Sequence, residues 1–304
     1  MNPGLVRAGV SLTLLALLVW WLDASVLLDR LAGFDPRWAA AAVAISLPQI
    51  GLLAFRWRFT AGRLGLDLPF GTALREYYLA LFLNQVLPGG VLGDVSRAWR
   101  HGRSGPERRI GPAALAVILE RTSGQVVMGG VALISVASLP LAFSTMSRTL
   151  SLTLTGAGTG AAVLAAFVAL RRRPRDGPWR TLSADAHRAL FAKDALPVQL
   201  LSSTLIVATF LATYLVAARA VGVSTPLWTL LPLVAPVLLS MLIPVTVAGW
   251  GVREATAAAL WGAAGLTVVD GVAISAAYGL LVLLSSLPGA VILMISGRDS
   301  RPGG

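Results

Sequence analysis

Three short stretches of the sequence place charged side chains among apolar residues, where each pair could bind a polar ligand. The pairs are Asp94 with Arg97, Glu120 with Arg121, and Arg253 with Glu254. A guanidinium group binds phosphate and carboxylate groups through its fork of N–H donors. A carboxylate can balance that charge or carry a proton. These residue types therefore indicate an anion site that brings its own counter-charges.

The first pair follows a strong helix-breaking run, Pro88-Gly89-Gly90. A helix that restarts at Gly93 exposes free backbone N–H groups toward the break, and these attract anions. Arg97 lies about one turn into that helix and can reinforce the same site. Asp94 has two interpretations. It can belong to the site, or it can cap the helix and pair with Arg97 at i+3.

A second break, from Pro244 to Gly251, precedes Arg253 in another apolar region. When the sequences of the two breaks are aligned at Pro88 and Pro244, Gly93 matches Gly249 and Arg97 matches Arg253. Of the 17 prolines, only these two are followed by glycine at +5 and arginine at +9. The likeness predicts two related hairpins, with Glu254 as the neighbouring partner of Arg253.

Glu120 and Arg121 need partners outside their own helix. Adjacent residues on a helix point about 100° apart and do not face each other. We therefore expect a bridge from this pair to Asp94 and Arg97. Asn84 is a further candidate, because with Arg75 and Glu76 it lies on the segment that leads to the first break.

The elements that must position these residues are membrane helices. Of the 304 residues, 56% are hydrophobic and only 13% are charged, and the mean hydropathy is +0.76. A soluble domain carries about 25% charged residues. Several runs reach the about 20 apolar residues that one span requires. The composition predicts an all-α polytopic membrane protein.

We expect about six transmembrane helices and two re-entrant hairpins. The predicted spans are 5–22, 38–55, 112–141, 150–170, 198–218 and 271–295, and the hairpins are 71–101 and 226–262. With both hairpins re-entrant and both termini cytoplasmic, most arginines lie on the cytoplasmic side, as the positive-inside rule requires. Three spans separate the hairpins, so the hairpins enter the membrane from opposite faces.

An inverted repeat follows from this topology. Its first half is 1–142, its second half is 143–296, and a disordered tail, 297–304, ends the chain. Broken helices that meet near the membrane midplane are a recurrent feature of such repeats in secondary transporters. The basic loop 171–197 carries apolar residues at helical spacing, namely Trp179, Leu182, Ala186 and Leu190. It is either a helix on the inner leaflet or a solvated connector.

Several kinds of site are disfavoured. The chain has no cysteine and two histidines, His101 and His187, so we expect no metal site and no cofactor. The net charge of +11 is explained by basic loops that face lipid head groups, and no nucleic-acid motif accompanies it. Lys193 is the only lysine. This preference for arginine is typical of GC-rich bacterial genomes, and we expect a bacterial inner-membrane location.

Three stretches, "NQVLPGGVLGDVSRAW", "ILERTSGQV" and "IPVTVAGWGVREA", occur in this order. Together they resemble the lysylphosphatidylglycerol synthase transmembrane-region family, flippase-like proteins that also form the N-terminal part of the multiple peptide resistance factor. The resemblance covers nearly the whole chain. The matching positions are Asn84, Pro88, Gly89, Gly90, Gly93, Asp94, Arg97, Glu120, Arg121, Gly249, Gly251, Arg253 and Glu254.

The resemblance implies a lipid-translocating role, with membrane phospholipids, anionic or aminoacylated, as partners. The chain ends at Gly304 without a soluble aminoacyl-transfer domain. We therefore expect that the chain does not itself make lysyl-lipid, and a separate lipid-modifying enzyme is a candidate partner. We expect the protein not to be an enzyme. Leu92 and Thr246 stand where the family more often has Gly and Ser, which affects substrate details rather than the fold.

Three hypotheses remain at this point. In the leading one, Arg97 and Arg253 hold a lipid phosphate in a polar cavity between the hairpins. In that hypothesis Asp94, Glu120 and Glu254 balance the positive charges of the arginines, bind a cationic head group or carry a coupling proton. The alternatives are an integral-membrane enzyme that acts on a polyprenyl-phosphate substrate, and a structural subunit of a lipid-modifying system. No two acidic residues lie within three positions of each other, which disfavours the enzyme.

Overall fold

A computed structural model describes residues 32–87, 90–104, 108–143, 178–242 and 246–299, with a few isolated positions before residue 32. All regular secondary structure in these residues is α-helical. The helices are α1 (Pro36–Arg63), α2 (Phe70–Val86), α3 (Leu92–Arg103), α4 (Ile110–Ala142), α5 (Pro178–Leu190), α6 (Leu196–Ala220), α7 (Leu227–Ser240), α8 (Val252–Ala263) and α9 (Val268–Asp299).

Four of these helices are long and apolar enough to cross a membrane. They are α1, α4, α6 and α9, with mean hydropathies of 1.7, 1.5, 2.0 and 2.1. They coincide with the predicted spans 38–55, 112–141, 198–218 and 271–295. The predicted spans 5–22 and 150–170 and most of the tail lie outside the described residues. The predicted end of the span 38–55 was wrong, because α1 continues to Arg63. Arg56 is therefore part of this helix.

Each interrupted apolar region forms two short helices joined by a break. The helices α2 and α3 have 17 and 12 residues, and α7 and α8 have 14 and 12. At 1.5 Å per residue they are about 18–26 Å long, shorter than a hydrocarbon core of about 30 Å. Each pair is in mutual contact. The helix α3 begins at Leu92, one residue before the predicted Gly93.

Left-handed backbone interrupts the helices between α7 and α8. The φ angles are 50° at Ala248, 80° at Gly249 and 88° at Gly251. Glycine adopts this region freely, whereas alanine pays a steric cost. Glu254 stabilises the start of α8. Its Oε2 accepts a 2.6 Å hydrogen bond from the backbone N–H of Gly251, the residue before the helix. Pro244 lies outside the described residues.

Two hydrophobic cores hold the helices together. The first is formed by side chains of α1 to α6 and includes the fully buried Trp57 and Tyr77. The second lies mainly between α6, α7, α8 and α9 and includes Tyr214, Trp261 and Tyr278. Each helix pair therefore has a core of its own, and α6 contributes to both.

The basic loop contains the amphipathic helix α5, which packs against α1. Ala189 is buried in the first core, and Leu190 packs against that core. At the end of α1, Arg63 donates hydrogen bonds to the carboxylate of Asp194. These hydrogen bonds lower the pKa of Asp194 below its ordinary value. The side chains of Trp179 and Leu182 lie outside the described residues.

Candidate functional site

A buried polar cluster joins α1, α2, α3, α4 and α6 beside the first break. We call it the first cluster. Its members are Arg56, Tyr77, Asn84, Asp94, Arg97, Glu120, Arg121 and Ser203. All but Arg121 are buried. The predicted bridge between the pair on α4 and the pair on α3 is present.

Glu120 is the centre of the first cluster and is fully buried. Its Oε1 accepts a 2.7 Å hydrogen bond from Arg56 Nη2, and its Oε2 accepts one of 2.8 Å from Arg97 Nη2. The hydroxyl of Tyr77 lies 3.1 Å from both oxygens. Three helices thus converge on one carboxylate of α4, so Glu120 fixes their relative positions.

Asp94 connects the break to the same cluster. Its carboxylate accepts hydrogen bonds of 2.9 Å from Arg97 Nε and 3.0 Å from Asn84 Nδ2, and it also pairs with Arg121. The backbone N–H of Gly93 is bound by Asn84 Oδ1 at 2.8 Å. Asn84, rather than Asp94, therefore binds that free N–H at the start of α3.

Arg97 is the most enclosed arginine of the cluster, with no exposed surface. Its guanidinium carbon lies 4.6 Å from the ring centre of Trp57 and 4.3 Å from that of Tyr77. Such cation–π contacts stabilise a desolvated charge. Within the described residues, Arg97 Nη1 and Arg121 Nε are buried donors without a hydrogen-bond partner. Two guanidinium nitrogens of the cluster thus carry N–H groups that no acceptor in the described residues binds.

Within the part of the chain that the structure describes, the charges of the first cluster do not balance. Three guanidinium groups, those of Arg56, Arg97 and Arg121, face two carboxylates, those of Asp94 and Glu120. An uncompensated charge is costly inside a membrane protein. A singly charged anion would neutralise the cluster, and the two unpaired donors could bind it.

A second cluster lies beside the second break and consists of Arg253, Glu254, Ser275, Trp250 and Tyr278. Arg253 Nη2 donates a 2.7 Å hydrogen bond to Glu254 Oε1, and its Nε donates one of 2.9 Å to Ser275. Its guanidinium lies 5.0 Å from the ring centre of Trp250 and 5.3 Å from that of Tyr278. Like Arg97, it is a buried arginine that pairs with a glutamate and contacts two aromatic rings.

The two breaks approach each other. Gly90 has a φ of 61°. A Cβ built on it would lie 3.8 Å from the backbone nitrogen of Ala248 and 3.9 Å from its Cα. The first break therefore lies close to the strained residue of the second. Pro88 and Gly89 lie outside the described residues.

Sequence reasoning missed several members of these clusters. Arg56 lies just outside the predicted span 38–55, but it is buried in α1, only 3% exposed, because the helix extends two turns past that span. Tyr77, Ser203 and Ser275 carry no charge and stand among apolar residues. The sequence therefore did not indicate them as members of a polar cluster. A usable signal was the position of Arg56 within an apolar helical run, since a charge at membrane depth requires a buried partner.

Comparison with known proteins identifies one family. A family model described as the lysylphosphatidylglycerol synthase TM region matches residues 6–289. A search of curated proteins found no match. The helices long enough to span a membrane agree with this family, and the protein is an integral membrane protein of a group related to lipid modification. The chain belongs to the lysylphosphatidylglycerol synthase transmembrane-region family.

Proposed function

We propose that the protein moves a phospholipid or lipid-linked head group between leaflets and that the first cluster binds its phosphate. The observation that carries the proposal is the unbalanced charge, among the described residues, of three arginines against two carboxylates, with N–H donors on Arg97 and Arg121 that no described residue pairs. A phosphodiester carries one negative charge and oxygen acceptors that suit guanidinium donors. It would neutralise the cluster and pair both donors.

The two breaks are the proposed pathway. In this proposal α2–α3 and α7–α8 are re-entrant hairpins of an inverted repeat, and they enter from opposite sides. The contact between Gly90 and Ala248 supports this, because the tips of opposed hairpins must meet within the membrane. The matched environments of Arg97 and Arg253 also support it. Irregular backbone at membrane depth requires a surrounding of protein or water.

The location and the partners complete the proposal. The protein lies in a bacterial inner membrane with both termini in the cytoplasm. Its substrate is an anionic or aminoacylated phospholipid, and a separate enzyme modifies that lipid, so the chain itself carries no catalytic step. Asp94, Glu120 and Glu254 balance the positive charges of the arginines, and Asp94 is the candidate for a coupling proton.

A packing role for the clusters is the second candidate, and one observation favours it. Glu120 is fully buried and bonded to Arg56, Tyr77 and Arg97, as a structural lock would be. Under this alternative, substitutions in the clusters change stability and leave any lipid transfer unaltered. Arg97 cannot separate the two candidates, because its loss takes one partner from each of two buried carboxylates, those of Asp94 and Glu120, and so changes stability as well.

Arg121 separates them, because its side chain is 37% exposed and its loss is better tolerated. The test uses vesicles of phosphatidylcholine and phosphatidylglycerol with a trace of NBD-labelled phosphatidylglycerol, and it follows dithionite reduction of label that reaches the outer leaflet. We expect Arg121→Gln to slow transfer at least about tenfold, as loss of a charged hydrogen bond implies. Arg58→Gln, an exposed arginine on α1, is the matched control and should transfer at the wild-type rate. Equal transfer by folded Arg121→Gln and wild type would refute the proposed phosphate site.

A further inference from the structure

His101 lies in the last turn of α3, outside the first cluster, and is partly buried. Its Nε2 lies 3.0 Å from the backbone oxygen of Asp67, in the connection between α1 and α2. A carbonyl oxygen only accepts hydrogen bonds, so the neutral imidazole carries its proton on Nε2. In the part of the chain that the structure describes, Nδ1 is a buried atom without a hydrogen-bond partner. A second proton on this ring would therefore occupy Nδ1.

One aromatic ring, that of Trp57, contacts both His101 and the first cluster. The ring centres of His101 and Trp57 are 5.5 Å apart, with the ring planes at 86°. Arg97, one turn earlier on α3, has its guanidinium carbon 4.6 Å from the ring centre of Trp57. Trp57 is fully buried, and charges interact more strongly across buried apolar groups than through water. A charge on His101 therefore acts on Arg97 across a single indole ring.

No carboxylate among the described residues forms an ion pair with His101. Glu76 pairs with Arg100 at 2.5 Å, and Asp67 contacts His101 only through its backbone oxygen. A positive charge on the imidazole is therefore not neutralised where it arises. The other charged groups on α3 and on the elements beside it are Arg56, Arg58, Arg63, Arg75, Asp94, Arg97, Arg103, Arg108, Arg109, Glu120 and Arg121.

Histidine is the side chain that ordinarily changes its charge between pH 5 and pH 8. None of the charged neighbours of His101 is a histidine. The chain has one other histidine, His187, and it lies on α5, where its ring contacts Phe191. A change of pH in this range therefore alters the charge beside Trp57 through His101.

Protons reach His101 from the end of the molecule at which α3 ends. Asp67 and Ser104 both bond to His101, and both are exposed. The end of α1 and the start of α4 lie at the same place, because Arg109 donates hydrogen bonds to the backbone oxygens of Gly102 at 2.9 Å and Gly65 at 2.7 Å. In the proposed topology this end is cytoplasmic, so His101 responds to the pH of the cytoplasm.

We propose that protonation of His101 raises the affinity of the first cluster for its anionic ligand. The inference rests on the proposed function, because it takes the ligand to be a lipid phosphate. The described part of the cluster carries one excess positive charge, and a protonated His101 adds a second one beside it. Anion binding is therefore stronger at pH 6 than at pH 8. His101 does not touch the anion, and it acts through Trp57 as a positioning residue.

The first experiment measures bound lipid at two pH values. Purified protein is equilibrated in detergent with equal amounts of phosphatidylglycerol and phosphatidylcholine, and the retained lipids are quantified by mass spectrometry. We expect the retained ratio of phosphatidylglycerol to phosphatidylcholine to be about fivefold higher at pH 6 than at pH 8, as one added charge near the site implies. His101→Gln keeps a donor for Asp67 but cannot be charged, so its ratio should stay at the pH 8 level of the wild type.

His187→Gln is the matched control, because it removes the other histidine of the chain. It should keep the pH dependence of the wild type. A wild-type ratio that is equal at both pH values would overturn the inference. A pH dependence that persists in His101→Gln would overturn it as well.

The second experiment observes His101 itself and requires no change to it. Two histidines give two imidazole signals in the NMR spectrum of protein labelled with ¹³C in its histidine rings, and His187→Gln shows which signal is His101. Coupling between two sites is reciprocal, so added phosphatidylglycerol should move the titration of His101 to higher pH, whereas phosphatidylcholine should not. Arg121→Gln, which removes a donor of the anion site, should weaken this effect. A titration that phosphatidylglycerol leaves unmoved would overturn the coupling.

Arg121→Gln also separates this inference from the proposed function. If Arg121→Gln loses phosphatidylglycerol while the wild type retains it equally at pH 6 and pH 8, the phosphate site stands and the role of His101 is wrong. If the retained phosphatidylglycerol is the same in Arg121→Gln and in the wild type at both pH values, the phosphate site is wrong, and the inference fails with it.

Discussion

Glu120 decides the stability of the first cluster at the scale of single residues. It is fully buried and receives hydrogen bonds from three different helices. Burial of these charges is expensive, and only their mutual pairing offsets it. The loss of one partner is therefore worse than the loss of the whole group would be.

We predict that Glu120→Gln lowers the free energy of unfolding by about 3–5 kcal/mol, because it leaves Arg56 and Arg97 without their shared counter-charge. Thermal unfolding in detergent, followed by tryptophan fluorescence, measures the change. Glu76→Gln is the control, since Glu76 pairs with the partly exposed Arg100 and should lose less. Similar unfolding temperatures for wild type and Glu120→Gln would contradict the importance of this carboxylate.

The backbone of Ala248 is strained, and a substitution that removes this strain should stabilise the protein. With φ at 50° it adopts a conformation that costs a non-glycine residue about 1–2 kcal/mol. Ala248→Gly should therefore stabilise the protein by up to about 1 kcal/mol once the added chain entropy is counted. Ala259→Gly, on the exposed face of α8, should destabilise it by about 1 kcal/mol. Shifts of the same sign in both variants would rule out strain at Ala248.

The sequence made most charged members of the site recognisable, but not Arg56 and not the uncharged neighbours. Arg97 and Glu120 stand out because ionisable groups are rare in apolar helices. Tyr77 and Ser275 do not, since neither carries a charge and a serine hydroxyl in such a helix usually bonds its own backbone. Only the three-dimensional packing shows that the hydroxyl of Tyr77 bonds Glu120 and that the hydroxyl of Ser275 bonds Arg253 and Glu254.

At the scale of elements, proline and glycine residues predict where the helices break. The sequence does not predict how the paired helices pack. The boundaries of α2 and α3 fall within a few residues of the predicted hairpin 71–101. The close approach of these two helices depends on Gly93, where an added Cβ would lie 2.0 Å from the backbone oxygen of Ala80. In the sequence, a glycine near a break predicts a turn. Its role in the close contact between two helices cannot be predicted from the sequence.

We predict that Gly93→Ala separates α2 from α3 and destabilises the protein by at least about 1–3 kcal/mol, because backbone must move to admit the methyl group. Gly129→Ala in α4 is the matched control. Nothing lies within 4 Å of its added Cβ, so helix propensity should make it neutral or slightly stabilising. Unfolding in detergent distinguishes the two. Equal stability of both variants would contradict the close helix contact.

At the scale of the whole molecule, hydropathy predicted the four long helices within the described residues, but it cannot show on which side each loop lies. The chain contains no cysteine, so single cysteines can report this directly. Four exposed positions flank the two hairpins: Asp67 and Ser104 at the first, Ser224 and Thr267 at the second.

We predict that cysteines at 67 and 104 react only with reagent that reaches the cytoplasm and that cysteines at 224 and 267 react with impermeant maleimide from outside. Re-entry of each hairpin requires both of its flanks to share one side, in agreement with the positive-inside rule. Labelling in intact cells and in inverted vesicles makes the comparison. Flanks of one hairpin on opposite sides would show that it crosses the membrane.

The most direct test of the central claim, that lipid passes between the two hairpin tips, is a reversible cross-link between them. Gly90→Cys combined with Ala248→Cys places two thiols where the tips meet, in a chain without other cysteines. The reduced double variant should transfer NBD-labelled phosphatidylglycerol like the wild type. We predict that oxidation to the disulfide stops transfer and that reduction restores it. Undiminished transfer with the disulfide fully formed would contradict the account.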